Sequence, residues 1–172
     1  ARRRRLEPVV SPEFHGAIAR SALQAAAVPT TVRGDGAAPR TIELRLVHGS
    51  IADASARAIV LGLFRNVDPS GAANAVDARL GGMIRRAAHR RMFETALGRV
   101  TNLLVPHDRL LADHVVLAGL GDFDDFGSEA QSLVASNVVR LLVPADVQDF
   151  ATVLFGAGSG VPVAAALEQQ LG

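Results

Sequence analysis

The pattern of apolar and polar positions predicts short strands alternating with helices. Thr41 to Val47 places Ile42, Leu44 and Leu46 against Thr41, Glu43 and Arg45, the two-residue period of a half-buried strand. Ala58 to Phe64 is a continuous apolar run, as expected of a strand buried on both faces. Val100 to Val105, stopped by Pro106, reads as a further strand. So does His114 to Leu120, and Phe150 to Phe155 reads as a final buried one. Between them the spacing turns helical. A helix over Ala73, Val76 and Leu80 is predicted to break at Gly81-Gly82, since two adjacent glycines inside a helix would cost about 2 kcal/mol relative to alanine. A second runs from Met83 to about Met92 with Met83, Ile84, Ala87 and Ala88 inward. A third runs from a Ser128 cap to about Leu142, and a closing helix spans Val161 to Leu171. Strands and helices in this alternation imply a layered α/β sheet.

The first forty residues read differently. Pro12 to Ala27 is predicted as a helix capped by Ser11, with only Phe14, Ile18 and Leu23 as sizeable apolar groups. Residues 28–40, with Pro29, Gly34, Gly36 and Pro39, are predicted as a linker. The division expected is a basic arm, short helix and linker over 1–40, followed by the folded body over 41–172.

Charge sharpens that division. All 18 basic residues are arginine, and lysine, tyrosine and cysteine are absent. Little titrates between histidine and arginine, so a net charge of +1 is enough to carry the isoelectric point to about 9.2. Residues 1–40 hold seven arginines and three acids, a balance of +4. Residues 41–172 hold eleven and fourteen, a balance of −3. The run Arg2 to Arg5 lacks interleaved aromatics and reads as a solvated arm rather than a nucleic-acid contact. The same holds for the band Arg85, Arg86, His89, Arg90 and Arg91, read as a solvated helix face; nucleic acid is not the expected partner.

Composition removes several chemistries. Without cysteine there is no disulfide, thiol nucleophile or cysteine-ligated zinc, which suits a reducing, cytoplasmic location. No apolar run approaches about 18 residues, so no membrane span is predicted. The five histidines (His15, His48, His89, His107 and His114) show no metal-binding pair at helical spacing. The acidic stretch Asp122, Asp124 and Asp125 reads as a capping turn anchored by Phe123 and Phe126. Gly156 to Gly160 is no nucleophile elbow, because Ala157 and Val161 occupy the positions that would need glycine. No metal, cofactor or catalytic residue is expected.

Two turns remain as candidate chemistry. Gly156-Ala157-Gly158-Ser159-Gly160 follows a predicted strand and precedes a predicted helix, and Ser70-Gly71-Ala72 opens a helix after another buried strand. In an open α/β sheet, ligands settle beyond the carboxyl ends of the strands, and free amides at a helix start favour anions. The candidate ligand-binding residues are therefore Ser70, Gly71, Ala72, Gly156, Gly158, Ser159 and Gly160, for a phosphate-containing ligand. The alternative at the same residues is that the glycines serve tight turns and close packing.

An ordered set of motifs carries a resemblance. Ala58-Ile59-Val60-Leu61-Gly62-Leu63-Phe64, Pro69-Ser70-Gly71-Ala72-Ala73, Val76-Asp77, Leu80-Gly81-Gly82, Gly98 with Asn102-Leu103-Leu104-Val105-Pro106, and Val115 to Gly121 together resemble the N-terminal domain of the leucine (cytosol) aminopeptidases. The resemblance spans about residues 42–140. It implies a three-layer α/β/α macro-domain-like sandwich with a mixed central sheet. It also implies a domain that does no chemistry itself but precedes the metallopeptidase half and helps build an oligomer. The peptidase signature Asn-Thr-Asp-Ala-Glu-Gly-Arg-Leu is absent, so no catalytic residue is carried over.

Against ADP-ribose-binding macro domains, Gly49-Ser50-Ile51 has serine where the adenine-reading aspartate would stand. Asn66 and Asn74 are not at the expected spacing, and only Phe155 to Pro162 looks like a phosphate loop. The expected function is a non-catalytic interaction, regulatory or oligomerisation module excised from a larger bacterial-type protein. Its expected partners are the other domains of the parent chain and further copies of itself. The alternative is a module binding a nucleotide or ADP-ribose-like ligand.

Overall fold

A computed structural model describes residues 26–32 and 40–155 of the chain. The chain divides into two compact units, residues 1–49 and 50–172. In the first, β1 (Ala26–Val32) and β2 (Arg40–Leu46) form an antiparallel two-stranded sheet with Ala26 opposite Leu46 and Val32 opposite Arg40. This corrects two expectations. Ala26 and Ala27 belong to a strand rather than a helix end, and residues 28–32 are strand rather than linker; residues 12–25 lie outside the described residues. Val28, Thr30, Thr31 and Val32 are good strand formers, and Pro29 is tolerated because each strand of a two-stranded sheet is an edge. What local periodicity could not supply was the partner strand. The alternation in β2 is also only partly used, since Leu44 is half-buried but Leu46 is 62% exposed. Beside it Glu43 pushes the Arg45 pKa up, first through a side-chain hydrogen bond at 2.6 Å and then through its charge.

The second unit contains β3 (Ala58–Phe64), α1 (Gly71–Arg79), α2 (Met83–His89), β4 (Val100–Leu104), β5 (His114–Gly121), α3 (Ser128–Leu142) and β6 (Phe150–Thr152). The sheet order is β4-β5-β3-β6. β3 runs parallel to β5 and β6, while β4 runs antiparallel to β5, so the sheet is mixed. β3 and β5 are central and bury both faces. Ile59, Leu61, Leu63, Val115 and Leu117 enter one core with Val76 and Leu80 of the α1 end and Ile84 of α2. Val60, Val116, Ala118 and Leu120 enter the other with Val134, Val138 and Leu142 of α3. This is the α/β/α layering expected, and the continuous apolar runs are explained by burial on both sides.

Three local expectations need correction. Ser128 is the first residue of α3 rather than its cap; Gly127 holds the cap position, its carbonyl accepting the Gln131 amide at 3.0 Å. β6 is a three-residue strand rather than a buried strand from 150 to 155; among the described residues it pairs only with β3, and Phe150 is 43% exposed. Phe123 is also half exposed; it joins the core indirectly, edge-on to Phe64 at 5.0 Å, while Phe126 packs on the same ring at 5.5 Å. The predicted helix 161–171 lies outside the described residues.

Candidate functional site

The carboxyl ends of β3 and β5 and the segment after β6 define the end of the sheet where a ligand would be expected. Beyond Phe64 the chain passes through Arg65, whose guanidinium pairs with Asp122 at 3.1 Å and whose amide donates to the Gly121 carbonyl at 2.8 Å. This pair ties the two loops together and uses Asp122 in the manner of a structural turn. Asp124 and Asp125 lie in a short 3-10 turn, Phe123–Asp125, and both are exposed.

Ser70 takes the cap position of α1 with extended backbone (φ −128°, ψ 170°), and its side chain makes no capping bond. Its carbonyl accepts the Ala73 amide at 3.1 Å and the Asn74 amide at 3.4 Å. Gly71 has φ +50°, and a Cβ built on it would meet nothing within 4 Å. Ser70 and Gly71 are exposed, and Ala72 packs partly against the core. The first amides of a helix have no partner within it. The Ser70–Ala72 turn therefore presents an open helix start with a free hydroxyl. Gly156, Gly158, Ser159 and Gly160 lie outside the described residues. Phe155, the last described residue before them, is 5% exposed and packs in the core between sheet and α3.

The glycines of the Gly-Leu-Gly motif serve packing. A Cβ on Gly119 would lie 2.2 Å from the Ala96 carbonyl oxygen, because the loop from Thr95 to Gly98 crosses β5 there. The crossing is held by Gly119 N to Arg99 O at 2.7 Å, Gly98 N to Gly119 O at 3.0 Å and Gly121 N to Thr95 O at 3.1 Å. Asn137 of α3 donates to the Gly98 carbonyl at 2.9 Å from the other side.

One buried charge was not singled out as important by sequence reasoning. Asp77 of α1 is fully buried, and its Oδ1 accepts the Ile84 amide at 2.7 Å and the Arg85 amide at 3.3 Å. It therefore caps α2 from the preceding helix. Gly81 (φ +64°) and Gly82 (φ +81°) make the reversal that brings this about, in a backbone region that side-chain-bearing residues avoid. Asp77 Oδ2 has no hydrogen-bond partner and stands 3.6 Å from Arg85 Nε. The signal was present as Val76-Asp77 four residues before Gly81-Gly82, but helix periodicity places an acid there without saying what it faces.

The basic band is distributed. Arg85 also donates to Asn74 Oδ1 at 2.8 Å, and Arg86 donates to the Gly81 carbonyl at 2.6 Å, so both work within the α1–α2 turn. His107 pairs with Asp113, and His114 Nδ1 stands 2.9 Å from Asn102 Nδ2. No group of three or more potential metal ligands is found among the described residues. Two depressions mark the surface of this unit. One, about 510 Å³, runs between Leu97, Asp125, Ser128 and Leu133. The other, about 300 Å³, lies at the amino ends of the strands near Arg79 and Arg109, whose guanidinia already pair with Asp53 and Asp108. No described helix is long and apolar enough to cross a membrane.

Comparison with known proteins agrees with this architecture. Residues 60–171 match the cytosol aminopeptidase family, N-terminal domain. Among solved structures, the macrodomain of Mycobacterium tuberculosis DarG superposes with a TM-score of 0.58 at 16% identity, over 72% of this chain and 84% of that one. The macrodomain of Thermus aquaticus DarG gives 0.56 at 16% identity, over 72% and 85%. The Oceanobacillus iheyensis macrodomain, in a mutant form, gives 0.57 at 15% identity, over 84% and 81%. At these identities the likeness is one of fold. No curated protein sequence matches the chain.

Proposed function

The chain belongs to the cytosol aminopeptidase family through that family's N-terminal domain, and on this premise we propose that it is a non-catalytic interaction and assembly module of a larger protein. The observation that carries the reading is the extent of the match. Residues 60–171 correspond to the N-terminal domain, and the peptidase signature is absent from the 172 residues. Three large apolar side chains, Leu104, Val143 and Leu111, are exposed at 75%, 68% and 62%. The partners proposed are the remaining domains of the parent protein and further copies of the chain, in the cytoplasm. The test is hydrolysis of leucine p-nitroanilide by the purified chain with added manganese or zinc. No turnover above buffer is expected; chelator-sensitive turnover overturns the reading.

A second reading is favoured by one specific feature, the open Ser70–Ala72 helix start at the carboxyl end of β3. There the chain binds a phosphate-containing ligand of the nucleotide or ADP-ribose class, together with Gly156, Gly158, Ser159 and Gly160. A macro-like fold often serves ADP-ribose, which supports the choice of probe. Calorimetry with ADP-ribose and a nucleotide panel tests it. Binding that is lost in Gly158→Glu supports this reading, and no heat at millimolar ligand removes it.

A further inference from the structure

We infer that residues 146–155, the turn before β6 with β6 itself, form a strap that opens as one piece while β3 and β5 stay paired, and that Arg57 is its latch. The inference goes beyond the readings above and stands on contacts within the second unit. β6 has the shortest pairing of the described strands. It meets β3 over three residues, Ala58 with Phe150, Ile59 with Ala151 and Val60 with Thr152, whereas β3 and β5 pair over seven. None of its three side chains is fully buried: Phe150 is exposed, and Ala151 and Thr152 are half-buried. Segments with few buried apolar contacts are the ones that open locally. What holds β6 is gathered at the two ends of the strap.

The amino end is held by Arg57, the residue before β3. Its amide donates to Asp149 Oδ2 at 3.2 Å, and its Nη1 donates to the Asp146 carbonyl at 3.1 Å. Its carbonyl accepts the Asp113 amide at 3.0 Å and the His114 amide at 3.1 Å, and its Nε stands 3.7 Å from Asp113 Oδ2. One arginine thus ties the entry of β6 to the entries of β3 and β5. Asp146 has φ +53°, a backbone region that a residue with a side chain keeps only where its neighbours hold it. The group that Arg57 grips is the carbonyl of that residue, so the latch acts on the point of the turn that relaxes when released.

The carboxyl end is held by Phe155, which is buried over Gly62 of β3. A Cβ on Gly62 would lie 2.9 Å from Phe155 Cδ1 and 2.7 Å from Leu120 Cδ1, so the bare glycine is the seat of the ring. The two ends differ in strength. The Arg57 side chain is half exposed, as is its Asp113 partner in part, and polar contacts in reach of water contribute little. Removing a buried phenylalanine ring from the core costs far more. The strap therefore opens from Asp146 and hinges at Phe155. Opening bares the Ala58–Val60 edge of β3 while the pairing of β3 with β5 stays intact. Phe155 directly precedes Gly156 in the chain, so the hinge adjoins the candidate glycine-rich turn.

The experiment is amide hydrogen exchange, read by mass spectrometry on the whole chain, for the wild type, Arg57→Ala and Asp149→Ala. In the wild type, amides over 146–153 are expected to exchange at least tenfold faster than those over 115–118 of β5. Arg57→Ala should speed exchange over 146–153 by about a further fivefold, the worth of one net hydrogen bond, and leave 115–118 unchanged. Asp149→Ala, at an exposed position on the other side of the latch, should reproduce that local rise. Wild-type exchange over 146–153 as slow as over 115–118 overturns the strap. Exchange that rises equally in both segments in the variants, or in neither, overturns the latch. No outcome bears on the non-catalytic reading, which falls only to peptidase turnover.

Discussion

Asp77 and Ile84 are joined by a 2.7 Å hydrogen bond from the Ile84 amide to the Asp77 carboxylate, although the two residues belong to different helices. The carboxylate is fully buried, and only one of its oxygens is hydrogen-bonded. Asp77→Ala should lower stability by about 2 kcal/mol, the sum expected for a lost helix cap and two buried amides left unpaired. Asp77→Asn keeps an acceptor for the Ile84 amide and should lose less. Urea unfolding of the three proteins measures both. Equal losses for the two variants would show that the charge toward Arg85, rather than the cap, is what matters.

Gly119 and Gly71 should respond to the same substitution with very different losses. At Gly119 a methyl would strike the Ala96 carbonyl at 2.2 Å, and backbone cannot move aside as a flexible side chain can. Gly119→Ala should destabilise by about 3 kcal/mol or prevent folding. At Gly71 the space is open and only the left-handed backbone opposes the change, so Gly71→Ala should lose about 1 kcal/mol. Thermal melts of the two variants rank them, and a reversed order would refute the close approach of the 95–98 loop to β5.

Asn137 holds that loop from the helix side. Its donation to the Gly98 carbonyl at 2.9 Å is a part-buried side-chain bond to backbone. Asn137→Ala should remove about 1 kcal/mol. It should also raise amide exchange selectively at residues 95–99. Uniform exchange across the sheet would mean that the bond supports the whole unit rather than the loop.

The aromatic triad at the carboxyl end should show coupling that area alone does not supply. Phe64 meets Phe123 and Phe126 edge-on, at 5.0 and 5.5 Å between ring centres. A double-mutant cycle with Phe64→Leu and Phe123→Leu should return an interaction of about 0.5–1.5 kcal/mol. A value of zero would make Phe123, half exposed as it is, a bystander of the acidic turn.

Most of the second unit was legible along the chain. β3 and β5 are seven- and eight-residue strands whose nearly continuous apolar runs fit the burial of both faces. The break at Gly81-Gly82 followed from helix propensity. The candidate site was legible only as residue types. Ser70, Gly71 and Ala72 form the open helix start expected after β3, but helix spacing could not tell whether Ser70 would cap it.

What the sequence by itself determined is the set of elements and the two-sided burial of the central strands, because these depend on side-chain periodicity within a few turns. What only the tertiary structure decided depends on neighbours far along the chain. Residues 26–32 become a strand because residues 40–46 supply their hydrogen bonds. Gly119 is required because the backbone near Ala96 lies on it. Asp77 is buried as an acid because the Ile84 and Arg85 amides need an acceptor. β4 runs antiparallel to β5, and among the described residues it pairs with no other strand. Hydrogen-bond partners and strand neighbours are set by chain reversal in space, and pattern along the chain does not encode them one position at a time.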